Sequence, residues 1–285
     1  MFHEFTSYLS LPRASEAWII KDVLPVGGSL NIYGAPKCGK SIASLQMASA
    51  IATEGIGDWL GFPVRSHGPV AYLQVDTPRS IWALDLDNLV REGCRFDNVY
   101  FADRETAPYP FDILGDGGRA LYDHLRAFPT PPLAIFIDTL REIHDNEEND
   151  ASAMKTVVAA LQVACAPSAM VLISHSRKDQ PFSGDDLMGD QRGSSYLPGR
   201  MDGVLKLTKK SLIFQSRTHP ESRVGIRSDP DRHGMITLAD QFLSDAISIR
   251  RSDPSASVLA LARELQSAHP SRSLEACRSA IRRAE

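Results

Sequence analysis

The chain has 285 residues, enough for one large domain or a domain with a small appendage, with 43% hydrophobic content and a net charge of −4. That balance excludes a globally basic binder of nucleic acid, so any polyanion site must be local. No apolar run approaches the roughly 20 residues of a membrane span, and the opening Met-Phe-His-Glu-Phe-Thr-Ser lacks the order of a signal peptide, so the expected compartment is the cytoplasm.

In chain order, Ser29-Leu-Asn-Ile-Tyr33 alternates as a strand does, and Ile42 to Ala52 is small, apolar and helical in character. Between them Gly34, Ala35, Pro36, Lys37, Cys38, Gly39, Lys40 and Ser41 fit the pattern GxxxxGK[ST]. In such a loop the backbone N–H groups point inward at phosphates, the lysine reaches the β and γ oxygens, and the serine hydroxyl ligates Mg²⁺. The strand, loop, helix order is the one this chemistry needs, because the helix N-terminus presents its positive end to the anion. A Gly-rich turn with a surface lysine is the plainer alternative. The expected cofactors are ATP and Mg²⁺, held by residues Gly34 to Ser41 and Ile42. Cys38 lies inside the loop and could make activity sensitive to thiol reagents. It and Cys94, Cys165 and Cys277 are isolated in sequence, without a CxxC pair, and read as reduced, mostly buried thiols.

Short apolar runs follow at Val70 to Val75, Val99 to Ala102, Leu133 to Ile137 and Met170 to Ser174, separated by helical or polar stretches. They predict an α/β fold with a mainly parallel sheet covered on both faces. Loops at the carboxyl ends of such strands converge on a ligand. Asp138 ends Leu-Ala-Ile-Phe-Ile-Asp and could hold the metal's water shell, or could cap the next helix. Asp76 ends Val-Ala-Tyr-Leu-Gln-Val-Asp and could orient an attacking water, or serve as a turn aspartate before Thr77-Pro78. His175 follows Val-Leu-Ile-Ser and could sense the γ-phosphate, or be an ordinary strand-end histidine. From Gly203 the texture changes: Val204 to Thr208, Leu212 to Ser216, Val224 to Arg227 and Met235 to Leu238 predict antiparallel edge strands. Beyond Asp253-Pro254, two short helices are expected, broken at His269-Pro270-Ser271.

Four stretches taken together resemble a known family: Glu16 to Pro25 leading into the loop, Tyr72 to Pro78, Asp138 to His144 followed by Glu148-Asn149-Asp150 and Met154, and His175 to Lys178. They look like the RecA-like ATPases grouped with the plasmid replication helicase RepA, over roughly residues 15 to 230. The resemblance implies a RecA-like P-loop fold, a homo-oligomeric ring, typically a hexamer, and active sites shared between neighbours. The family usually has glutamate where this chain has Asp76. Its late strands often carry a Lys-x-Arg pair reaching the neighbour's γ-phosphate; here the matching stretch is Gln215-Ser216-Arg217, leaving Arg217, with Arg192 as a second candidate finger. A surface or structural ion pair is the alternative for either.

In such rings the loops after the strands that end at Asp138 and at His175 face the channel, so single-stranded DNA is the expected partner. Arg177, Lys178, Arg192 and Phe182 could meet phosphates and a base, although Asp179, Asp185, Asp186 and Asp190 make that loop acidic, and Asp145 to Asp150 is acidic too. The tail carries Arg272, Arg278, Arg282 and Arg283, fitting either half of a DNA-binding helix pair or simple packing. The expected organisation is an N-terminal arm over 1–27, an ATPase core over 28–243 and a helical tail over 244–285. The expected function is Mg²⁺-dependent ATP hydrolysis driving a helicase-type motor, with Lys40, Asp76, Asp138, His175, Arg192 and Arg217 at the chemistry. An ATP-gated DNA- or protein-binding switch is the rival, and a small-molecule kinase is disfavoured for want of an arginine-rich lid.

Overall fold

The computed structural model describes residues 18–107, 110–148, 150–176, 196–229, 234–239, 245–247, 249–250, 253, 255–269 and 273–283. In chain order its elements are β1 (Trp18–Ile20), β2 (Leu24–Pro25), β3 (Ser29–Gly34), α1 (Lys40–Ala52), β4 (Asp58–Trp59), β5 (Phe62–Pro63), β6 (Val70–Gln74), α2 (Arg79–Arg91), β7 (Val99–Asp103), α3 (Asp116–Arg126) and β8 (Ala134–Asp138). A 3₁₀ turn, Leu140–Ile143, precedes α4 (Ala151–Cys165), β9 (Ala169–His175), α5 (Tyr196–Arg200), β10 (Gly203–Leu207), β11 (Ser211–Ser216), β12 (Ser222–Asp229), β13 (Met235–Leu238), α6 (Val258–Ala268) and α7 (Leu274–Arg283).

Nine of these strands form one sheet in the order β13-β12-β11-β10-β3-β9-β8-β6-β7. The strands from β10 to β7 are parallel neighbours, and β11, β12 and β13 add an antiparallel margin. The mixed architecture read from the sequence is therefore present, with one shift of boundary. Val204 to Leu207 pairs parallel with β3, so the antiparallel margin begins one strand later than the texture change at Gly203 predicts. The cause is topological: β10 enters beside β3 in the same sense and turns back only at Thr208–Ser211.

Side chains alternate between the two faces of each strand. Leu30, Ile32, Val70, Tyr72, Phe136 and Val171 join Ala43, Leu45, Met47 and Ala48 of α1 in one core. Tyr33, Leu73, Ile135, Ile137 and Leu172 meet Met154, Val157 and Leu161 of α4 on the other. Helix α1 is buried along 11 of its 13 residues, which is why its sequence is rich in Ala and Ser and has no polar face. Helix α4 is held at its start by Asp150, whose carboxylate accepts from the N–H groups of Ser152 and Ala153. In the tail, Leu261, Ala262 and Leu265 of α6 close against Cys277, Ala280 and Ile281 of α7 as a small separate core. The two expected helices are both there. All four cysteines are buried thiols outside any disulfide.

The far margin of the sheet is fastened to α1. The Gln46 side-chain amide donates through Nε2 to the Ile236 carbonyl at 3.0 Å and accepts through Oε1 from the Ile236 N–H at 2.9 Å, both buried. Among the described residues, no helix is long and apolar enough to cross a membrane.

Candidate nucleotide site

The loop from Gly34 to Ser41 links β3 to α1, and its geometry accounts for both glycines. A β-carbon on Gly34 would lie 2.3 Å from the Leu207 carbonyl oxygen and 2.8 Å from the Cys38 Sγ. Gly39, the N-cap of α1, has φ +98°, a left-handed value that side chains resist, and Lys37 also turns left-handed at φ 60°. These turns bring the first N–H groups of α1, which have no partner inside the helix, to the mouth of the loop. The result is a cradle for an anion at the positive end of a helix.

Lys40 is 6% exposed, and its Nζ donates to the carbonyls of Gly34 and Ala35, both at 3.0 Å. Burial lowers its pKa, while Cys38, Asp138 and Asp76 pull the other way. The same carbonyl of Gly34 accepts from the Ser176 N–H at 3.2 Å, so the end of β9 wraps the loop, and His175 stands level with Gly34 in the register.

Asp138 ends β8 and is 2% exposed. It accepts from the Tyr72 hydroxyl through Oδ2 at 3.1 Å, and Tyr72 in turn meets Ser44 Oγ at 2.8 Å; the Ser41 hydroxyl is near enough to favour its charged form. Burial pushes the Asp138 carboxyl up to about 6, and Asp76 adds to that push; the two hydroxyls and Lys40 oppose it. The peptide joining Asp138 to Thr139 is cis. The helix-cap alternative for Asp138 is not what its side chain does here: the Thr139 side chain caps the following 3₁₀ turn instead.

Asp76 lies just past β6 in an exposed bend. Gln74, 1% exposed, accepts from the Thr77 N–H through Oε1 at 3.1 Å and pins that bend, and Val75 N–H donates to the Asp138 carbonyl at 2.9 Å. Asp76 is close enough to Lys40 and Asp138 to act electrostatically on both. Lys40, Ser41, Asp76, Asp138 and His175 thus gather at one end of the sheet. The strand carrying Asp138 is not the immediate neighbour of β3, since β9 lies between them.

Arg217 is elsewhere. It follows β11 at the opposite end of the sheet, beside the start of β3, about 17 Å of strand from the loop by the usual rise per residue. Its Nε pairs with Asp202 Oδ1 at 3.1 Å, and Asp202 Oδ2 accepts from both the N–H and the hydroxyl of Ser29 at 2.9 Å. Arg192, with Arg177, Lys178 and Phe182, lies outside the described residues. Cys38 is 7% exposed and burial raises its thiol pKa, with Lys40 and Lys209 opposing, so the loop cysteine is shielded rather than activated. Tyr72, Ser44 and Gln74 are the supporting residues that sequence reasoning missed. Only the period-2 alternation, which turns Tyr72 toward α1, offered a signal.

The residues fit a hydrated Mg²⁺. The Ser41 hydroxyl lies close enough to the buried Asp138 carboxylate to act on it, both are hard oxygen donors, and no trio of His, Cys, Asp or Glu gathers among the described residues. That donor set suits an ion that relies on one or two carboxylates plus substrate phosphates.

A family model described as an AAA domain matches residues 3–181. Among solved structures, one whose title describes it as an ATPase domain superposes with a TM-score of 0.53 at 13% identity, covering 75% of this chain and 85% of that one. At that identity the likeness carries the fold, a RecA-like arrangement. No curated protein matches the chain.

Proposed function

The chain belongs to the AAA domain family, and from that premise we propose that it binds ATP with Mg²⁺ and hydrolyses it. The observation that carries this reading is the glycine cradle that holds a buried Lys40, with the buried Asp138 carboxylate close enough to act on that lysine. In the proposed mechanism the loop N–H groups and Lys40 grip the phosphates, the lysine exchanging its two carbonyl partners for phosphate oxygens. Ser41 and Asp138 hold the metal, which when bound supplies charge neutralisation at the transferring phosphoryl group. Asp76 orients the attacking water from its pinned bend, one methylene shorter than the glutamate of the RepA group. His175, on the strand that wraps the loop, couples the γ-phosphate to the chain that follows it.

The finer reading is a ring-forming, helicase-type motor on single-stranded DNA, in the RepA group. Arg217 lies across the sheet from its own loop and pairs with Asp202, so in this reading it would have to leave that carboxylate and serve another copy's nucleotide, where a finger in trans is worth several powers of ten in rate; a structural ion pair is the alternative. The rival, an ATP-gated switch without unwinding, is favoured by the loop after the 3₁₀ turn, where Asp145, Glu147, Glu148 and Asp150 offer no welcome to a polyanion.

The test is steady-state ATP hydrolysis with and without single-stranded DNA, using Lys40→Ala as the blank. Stimulation by DNA of several-fold supports the motor. Hydrolysis indifferent to DNA supports the switch, and Lys40→Ala binding ATP like the parent refutes the phosphate-loop assignment.

A further inference from the structure

We propose that Lys209, at the tip of the β10–β11 turn, is a second cation for the phosphates of the nucleotide, supplied by the margin of the sheet rather than by the loop itself. The placement follows from register. Strand β10 runs parallel to β3 with Leu207 level with Gly34, so the chain leaves the sheet at the height of the phosphate loop. Contact there is as close as it can be: the space of a Gly34 β-carbon is taken by the Leu207 carbonyl. The neighbouring margin closes on the loop as well, since a β-carbon on Gly39 would meet Ile236 Cδ1 at 3.0 Å.

The turn is held firmly. Thr208 Oγ1 accepts from the N–H groups of Lys210 at 3.1 Å and Ser211 at 2.8 Å, and the Thr208 N–H donates to the Ser211 carbonyl at 2.8 Å. An exposed lysine at such a tip is presented, not buried. Its charge reaches the loop, because it acts on the Cys38 thiol in the direction that Lys40 does. A nucleoside triphosphate carries several negative charges into this cradle, and of the loop's own two lysines Lys40 is buried while Lys37 is exposed. A cation arriving from outside the loop adds attraction that an ammonium gives as a point charge, without demanding bidentate geometry.

This rests on the phosphate-loop reading, and the experiment separates the two. Binding of ATP, ADP and adenosine to the full chain is measured by calorimetry for the parent, Lys40→Ala, Lys209→Ala and Lys209→Arg. The expected result for Lys209→Ala is a loss of ATP and ADP affinity of about tenfold, in keeping with a charge-assisted contact. Adenosine affinity stays within about twofold of the parent, Lys209→Arg recovers most of the loss, and the loss shrinks in high salt. Parental ATP affinity in Lys209→Ala overturns the proposal, and so does an equal loss for adenosine, which would move the contact to the base. If Lys40→Ala binds ATP as the parent does, it is the phosphate-loop reading that has failed.

Discussion

Replacing Tyr72 by Phe removes one oxygen and leaves the packing of the ring, stacked on Phe136 at 5.3 Å and 4° and tilted against Trp82 at 5.3 Å. What goes is the hydroxyl that donates to Asp138 at 3.1 Å. In the metal-bound state proposed above, Ser41 turns to the ion, and Tyr72 becomes the main remaining described donor to that buried carboxylate. A hydrogen bond to a charged group is worth about 1.5–3 kcal/mol, and loss of such an outer partner typically weakens a metal about 10–100-fold. The same hydroxyl opposes the burial that raises the Asp138 pKa, so its loss raises that pKa further and sharpens the defect as pH falls toward 6. The assay is the Mg²⁺ concentration for half-maximal ATP hydrolysis at saturating ATP, with urea unfolding as the check on the fold. Tyr72→Phe should move the Mg²⁺ midpoint up about tenfold or more while lowering stability by no more than about 1.5–3 kcal/mol, with unfolding still cooperative. An unchanged midpoint would refute the reasoning and make Tyr72 a packing residue only.

Gly34→Ala puts a methyl 2.3 Å from the Leu207 carbonyl, where backbone must move, so nucleotide binding should fall below detection by fluorescence titration even where the protein still melts cooperatively. Cys38, buried with a raised thiol pKa, should react with iodoacetamide at pH 7 about tenfold or more slower than a free peptide thiol, read by mass spectrometry; alkylation at the free-thiol rate would contradict its shielding. His144 is 4% exposed. Burial, then the charge of Arg141, holds its pKa below the ordinary value near 6.5, against the opposing pull of the Asn146 backbone and of Asp145 and Asp112. The unfolded chain therefore binds this proton more readily than the folded one, so its contribution is intact above about pH 6.5 and stability declines below it. His144→Leu should flatten that decline in urea melts between about pH 7 and 5.5.

The loop and its flanks were legible because every part of that motif is local: a strand, eight residues and a helix. That Asp138 and Asp76 lie at one end of the sheet was legible because each follows a buried apolar run that reads as a parallel strand. What joins them was not. That β9 intervenes between β3 and β8, that β10 is the last parallel strand, and that Tyr72 and Ser44 meet across 28 positions are products of strand order, which a one-dimensional pattern does not contain. The same holds for Lys209, whose relation to Gly34 exists only through the Leu207 register. For Arg217 the residue type was readable and its position was not: the antiparallel sense of β11 carries it to the opposite rim.

The clasp between Gln46 and Ile236 bears on how this chain can be divided. The AAA domain match ends at residue 181, well before β10 to β13, yet those strands supply the wall against Gly34 and Gly39 and both partners of the Gln46 amide. A fragment cut at that limit would expose one flank of α1, leave a buried amide group searching for water, and open the nucleotide cradle on the side it is most tightly walled. The family match stops at residue 181; the working unit extends at least to the strand that Gln46 grasps.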